Sequence, residues 1–316
     1  MRKKKLCILL SLLLLVLTSC SQTKSIHFGS ADVGGVYYSF ANTFSGIASQ
    51  ENPDYKFEVK NTAGSAANLR LLSNNYIELG IAQEDLILDA YEGLNSFQGK
   101  KYDGYKAIAG LYTEACQIIV RKDSSIQTID DLQGKTVSIG AKDSGTERNA
   151  KEILEMSGLT SSLLQTVQLD YTNAAKELIS KKIDAIFCTA GVQTTVLEEL
   201  AKECEIRFLN IDESCIKKLQ AAHPCYARYT IPDGTYTGQT EAIHTIGVKS
   251  ILLASDDLSK DTVSHLTAML FEHAKELQYS TSIDLQLDEQ SATKGITIPF
   301  HPGAIDYYKK KGITVS

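Results

Sequence analysis

Leu71-Leu72-Ser73-Asn74-Asn75-Tyr76-Ile77-Glu78-Leu79-Gly80-Ile81 decides the fold, because its pattern returns as Leu178-Ile179-Ser180-Lys181-Lys182-Ile183-Asp184-Ala185-Ile186-Phe187 with one residue skipped. Each copy reads as a helix end that passes through a polar turn into a buried strand. The two strands end in polar or small residues, Gln83 to Asp85 in one case and Thr189 to Gly191 in the other. Upstream of the first copy, Ile26 to Gly29 is strand-like, and Gly34-Gly35 opens a helix with Tyr37, Phe40, Ala41, Phe44, Ile47 and Ala48 on one face. Upstream of the second, Thr136 to Gly140 repeats the strand, and Gly145 opens a helix through Ala150, Ile153 and Leu154. Helices alternating with short apolar strands predict α/β layers, with ligand loops past the strand ends.

Two long apolar stretches bracket the second unit: Ala107 to Lys122 and Thr245 to Ser255. They read as two strand crossings between two lobes, so that facing loops form a cleft about a hinge. The expected organisation is residues 26–112 with 248–316 in lobe 1 and 113–247 in lobe 2. Ser259 to Tyr279, with Val263, Leu266, Leu270, Ala274 and Leu277 on one stripe, is expected as one amphipathic helix packed on lobe 1. There are only five prolines and no linker-like run inside the body.

The N-terminus fixes a compartment. Arg2 to Lys5 are basic, and Leu6 to Leu17 is an apolar run too short for the roughly 20 residues that span a bilayer. Leu17-Thr18-Ser19-Cys20 resembles a bacterial lipobox, which implies removal of residues 1–19 and lipidation of Cys20 behind a short tether, 20–25. An ordinary signal peptide with a chance cysteine, or an uncleaved anchor, is the other reading. Cleavage leaves 297 of the 316 residues, a length that predicts about two lobes. It also takes the formal charge from −6 to −10, which opposes nucleic acid as a partner and leaves membrane attachment to the lipid.

Five cysteines remain: Cys116, Cys188, Cys204, Cys215 and Cys225. An odd number cannot all pair; buried thiols are favoured, with one disulfide among the last three left open. No CxxC, HExxH or GxSxG pattern occurs, so no metal, cofactor or catalytic residue is expected.

Candidate ligand residues cluster at the loops. Gly34 and Gly35 let helix N–H groups approach an anion, although a glycine turn alone explains them equally well. Tyr37 fits the buried stripe and Tyr38 is freer for ligand. Ser65 is a ligand residue or a helix cap, and Asn68 follows it. Gln83 and Asp85 put polar groups at the end of a buried strand, where a polar cluster needs solvent or ligand. Ser144 and Glu147 have capping-box spacing, while Gly145 and Thr146 could face the cleft. Gly191 ends the second repeat strand. Arg121 and Arg148 are the nearest cations, each expected in an exposed ion pair.

Several segments in order resemble the TAXI group of solute receptors that serve TRAP transporters. They are Gly34-Gly35-Val36-Tyr37-Tyr38, Asn68-Leu69-Arg70-Leu71-Leu72, Gly80-Ile81-Ala82-Gln83-Glu84-Asp85, Asp131-Leu132-Gln133-Gly134-Lys135 leading to Ser144-Gly145-Thr146, Pro232-Asp233-Gly234-Thr235-Tyr236, and His301-Pro302-Gly303-Ala304-Ile305-Asp306-Tyr307-Tyr308. The resemblance covers nearly all of the mature chain. It implies a type II periplasmic-binding-protein fold, no enzymatic activity, a monomer, and delivery of a small carboxylate to a TRAP membrane subunit. Glutamate or glutamine is the kind of amino acid it points to. Lys142-Asp143-Ser144 departs from the glycine-serine form common in that group. A binding lipoprotein of an ABC importer or a sensor is the first rival, and a secreted enzyme on the same fold the second.

Overall fold

The computed structural model describes residues 25–281, 285 and 287–316. The signal segment, Cys20 and the tether up to residue 24 lie outside the described residues. Strand β1 (Ser25–Gly29) runs into helix α1 (Val36–Glu51), and β2 (Lys56–Lys60) into α2 (Ser65–Ser73). Strand β3 (Leu79–Gln83) then passes directly into α3 (Glu84–Glu92). β1 pairs in parallel with both β2 and β3. This is the layered unit that the sequence pattern predicts.

The two crossings are β4 (Tyr105–Arg121) and β10 (Ile243–Ser255), antiparallel to each other. Between them the second unit supplies β5 (Thr136–Ser138), α4 (Gly145–Met156), β6 (Gln165–Val167), α5 (Tyr171–Ile179) and β7 (Ala185–Ala190). It continues through α6 (Thr195–Glu203), β8 (Ile206–Phe208), α7 (Glu213–Ala222) and β9 (Ala227–Ile231). The sheet order is β2-β1-β3-β10-β4-β7-β5-β6, with β8 on β4 and β9 on β10.

The apolar cores show why this continuous sheet makes two lobes. One core draws on residues 26–112 and 251–308, the others on 115–248. Each crossing strand therefore changes core partway along, β4 between Tyr112 and Ala115, β10 between Val248 and Ile251. A register shift falls between Ser250 and Ile251, at the changeover in β10. An irregularity there bends the strand where one core hands over to the next.

The segment expected as one helix is two. α8 (Lys260–Glu272) ends at His273, whose N–H bonds to Met269 and Phe271, and α9 (Ala274–Thr281) follows. His273 ties this break to α1, with Nε2 2.7 Å from Glu51 Oε1. Both helices pack on α1, in the first lobe as expected. α10 (Glu289–Thr293) and α11 (Pro302–Lys310) close that lobe. Among the described residues no helix is long and apolar enough to cross a membrane.

Candidate functional site

Four helix starts converge where the lobes meet. α1 begins after Gly35 and α2 after Gly64, and neither has a side-chain cap. α4 and α5, from the second lobe, begin after Ser144 and Asp170. The first N–H groups of a helix have no intrahelical partner, and they carry the positive end of its dipole. The cleft between the four starts holds a cavity of about 50 Å³, walled by Gly35, Tyr37, Gly64, Ser65, Gln83 and Glu114 from the first lobe and the sheet. Ser144, Gly145, Thr146, Tyr171 and Thr189 wall it from the second. That volume holds a water or two and is smaller than an amino acid fills.

The closure is held by direct bonds. Ala67 N–H donates to Asp143 O at 3.2 Å, and Arg70 Nη1 lies 2.7 Å from Asp143 Oδ1. Tyr171 N–H donates to Asp32 Oδ2 at 2.6 Å. Gly145 allows this close approach: a Cβ there would stand 2.3 Å from the end of the Gln83 side chain, which would have to shift. Gly64, at φ +115°, lies close to Ser144, and its backbone angle is one that glycine tolerates and other residues resist.

Seven of the twelve predicted ligand residues form the cavity wall: Gly35, Tyr37, Ser65, Gln83, Ser144, Gly145 and Thr146. The other five lie elsewhere. Gly34 packs on α6, where an added Cβ would be 3.1 Å from Val196 Cβ. Tyr38 is half-buried on α1, and its carbonyl accepts from Asn42. Asn68 points inward, its Nδ2 donating to the carbonyls of Gly29, Ser30 and Ile81, and so ties the ends of β1 and β3 together. Gly191 is buried, and its carbonyl accepts from Thr194 Oγ1.

Asp85 belongs to a neighbouring junction. Its Oδ2 accepts from Asn149 Nδ2 at 2.9 Å and from the Tyr226 hydroxyl at 3.1 Å. Burial, with Glu152 nearby, pushes its carboxyl up to about 6. Arg148 crosses the same junction, 3.2 Å from Asp89 and 2.7 Å from Glu152. Arg148 is thus in buried ion pairs where an exposed one was expected, whereas Arg121 does pair with an exposed carboxylate, Asp123, at 3.4 Å. Arg121 Nη1 donates to the carbonyls of Leu178 and Ile183 at 3.0 Å, far along β4, and so fastens a turn. The broad groove beside this junction, about 530 Å³, is lined by Asp85, Arg148, His223 and Lys249.

Three hydroxyls of the wall accept hydrogen bonds from backbone N–H groups. Ser144 Oγ accepts from Glu147 N–H at 3.0 Å and so caps the helix, while the Glu147 carboxylate accepts from Asp143 N–H, one residue before the cap. Thr146 Oγ1 lies 2.7 Å from the Tyr171 hydroxyl and accepts from Thr189 N–H. Ser65 Oγ accepts from Gln83 N–H. All five described cysteines are free thiols, and no cluster fit for a metal occurs among the described residues.

Sequence reasoning missed Glu114, Asp32, Tyr171 and Thr189. Glu114 had a signal: it is a lone carboxylate inside the apolar run Ala107 to Lys122. Asp32 and Tyr171 had none, because they meet only across the closed cleft.

The model of the NMT1-like family matches residues 28–312. The chain belongs to the NMT1-like family. Among solved structures it is similar to a binding-protein component of an ABC phosphonate transporter from Pseudomonas aeruginosa. That likeness has a TM-score of 0.54 at 12% identity, over 83% of this chain and 80% of that one. An ancestral arginine-binding protein bound to arginine gives 0.51 at 13% identity, over 81% and 96%. The GluR0 ligand-binding core in complex with L-glutamate gives 0.50 at 8% identity, over 83% and 98%. These likenesses show the fold, the type II periplasmic-binding-protein architecture of two α/β lobes on two crossing strands.

Proposed function

We propose that the protein is an extracytoplasmic solute-binding protein that closes over a small carboxylate-bearing solute and presents it to a membrane transporter. The observation that carries this reading is the cavity between two separately cored lobes, with the starts of α1 and α2, which have no side-chain cap, in its wall. Such N–H groups suit a carboxylate. Capture fits the wall better than bond chemistry does, because Ser144 and Thr146 are tied to Glu147, Tyr171 and Thr189. The lobes are taken as 26–112 with 248–316, and 113–247.

An ABC importer is the transporter class with structural likeness behind it, since the Pseudomonas aeruginosa neighbour is described as part of one. A TRAP membrane subunit rests on the sequence resemblance to the TAXI group. Uptake in vesicles holding the candidate permease separates them: ATP hydrolysis drives the first, an ion gradient the second. Lipid attachment at Cys20 predicts that Cys20→Ser releases the protein from the membrane.

A thermal-shift screen of residues 20–316 against amino acids and small carboxylates tests the receptor reading. A solute at 100 times its Kd stabilises by about 2.7 kcal/mol. One chemical class should raise the Tm. A screen in which none does contradicts the reading.

A further inference from the structure

The cavity wall carries three carboxylates, Asp32, Glu114 and Asp170, and no lysine, arginine or histidine among the described residues. Two are provided for. Asp32 accepts from Tyr171 N–H and Asp170 from Asn173 N–H, so both sit at the positive start of α5. Glu114 has no such offset. It lies in β4, 3% exposed, with Gln83 Nε2 donating to it at 2.5 Å and the Tyr112 hydroxyl at 3.4 Å. In the same wall the buried Gln83 Oε1 has no hydrogen-bond partner, and the Tyr37 hydroxyl lies beside Glu114 and Ser65 with its oxygen still able to accept.

A carboxylate, an amide oxygen and a phenol oxygen in one small wall form a set of acceptors in want of N–H donors. A buried carboxyl is costly to ionise, and a cation with several N–H groups offsets that cost by pairing with the carboxylate. We propose that the captured solute carries a primary ammonium group that docks on Glu114, with Gln83 Oε1 and the Tyr37 oxygen accepting its remaining N–H bonds. The inference rests on the receptor reading and narrows it: dicarboxylates, sulfonates and phosphonates without a basic nitrogen are poor solutes. With a carboxylate at the helix starts, the solute is a zwitterion.

Proton traffic follows. The ionisable groups around Glu114 are Tyr37, Tyr112, Tyr171, Asp85 and the thiols of Cys116 and Cys188, and none is cationic. Burial pushes the Glu114 carboxyl up to about 8. At pH 7 it therefore holds a proton, and docking an ammonium expels it. Affinity should rise by up to tenfold per pH unit between pH 6 and 8.

The test pairs each proteinogenic amino acid with its desamino acid, such as L-glutamate with glutarate. Thermal shift finds the binder, and calorimetry then compares wild type with Glu114→Gln. The expected result is an amino acid that binds at least 100-fold tighter than its desamino partner. It should lose at least 30-fold in Glu114→Gln and release about one proton at pH 7, read from buffers of different ionisation enthalpy. Should the variant fail to fold, the desamino comparison and the proton release in wild type still decide. A desamino acid that binds as tightly as the amino acid, or proton uptake on binding, overturns the ammonium site and leaves the receptor reading standing. No shift with any member of either set overturns the receptor reading, and this inference with it.

Discussion

At the residue scale, Ser144 and Gly145 are neighbours with separable duties. Ser144 caps α4 with its hydroxyl, so Ser144→Ala should cost about 1 kcal/mol of stability, seen as a Tm lower by a few degrees. Its effect on solute affinity should stay within about twofold, and a loss comparable to that of Gly145→Ala would show that the hydroxyl touches the solute. Gly145 is at the helix start with no unusual backbone angle, so alanine fits the open protein. In the closed one its Cβ would run into Gln83. Gly145→Ala should therefore leave the Tm nearly unchanged and weaken binding at least tenfold, measured by calorimetric titration. Unchanged affinity would mean that the lobes do not close on this face.

At the element scale, the junction of α3 with α4 makes closure sensitive to pH. Asp85 on α3 bonds to Asn149 on α4 and to Tyr226, and its carboxyl is raised to about 6 from an ordinary value near 4. A raised carboxyl binds its proton more tightly in the folded, closed form. Its contribution is therefore intact near pH 4, is lost as pH rises through about 6, and stays lost above that. Asp85→Asn mimics the protonated form. Its Tm relative to wild type should be higher at pH 7.5 than at pH 5. A variant that fares worse at pH 7.5 would show that Arg148 holds Asp85 ionised after all.

The elements themselves were largely legible. The repeated helix-to-strand pattern located β3 and β7, and the two long apolar runs located β4 and β10 within two residues, because burial on both faces writes itself as unbroken hydrophobicity. The split of α8 from α9 was not legible. Its apolar stripe continues in register through His273, and the bond that fixes His273 there comes from Glu51 in a distant part of the chain. Asn68 misled for a related reason: a polar residue near a loop suggests ligand, whereas its amide closes three strand-end carbonyls that no local pattern reveals. Glu114 was overlooked inside an apolar strand because its meaning depends on Gln83 and Tyr37 facing it from elsewhere in the chain.

At the scale of the whole molecule, the proposed function follows from one sheet whose two lobes share no core. Each crossing strand changes core in midcourse, so a turn of the lobes about β4 and β10 would leave every core intact. The helix starts that meet across the turn supply donors, and Glu114 supplies the opposing acceptor. The central claim is that a solute sits there, enclosed by both lobes. A crystal structure of the protein with its best-binding amino acid tests this most directly. The account predicts solute density bounded by Gln83, Glu114, Gly145 and Tyr171, in a cavity enlarged beyond its present 50 Å³ with the lobes still in contact. Solute found instead in the open groove of Asp85, Arg148 and His223, with the Glu114 cavity unchanged, would contradict it.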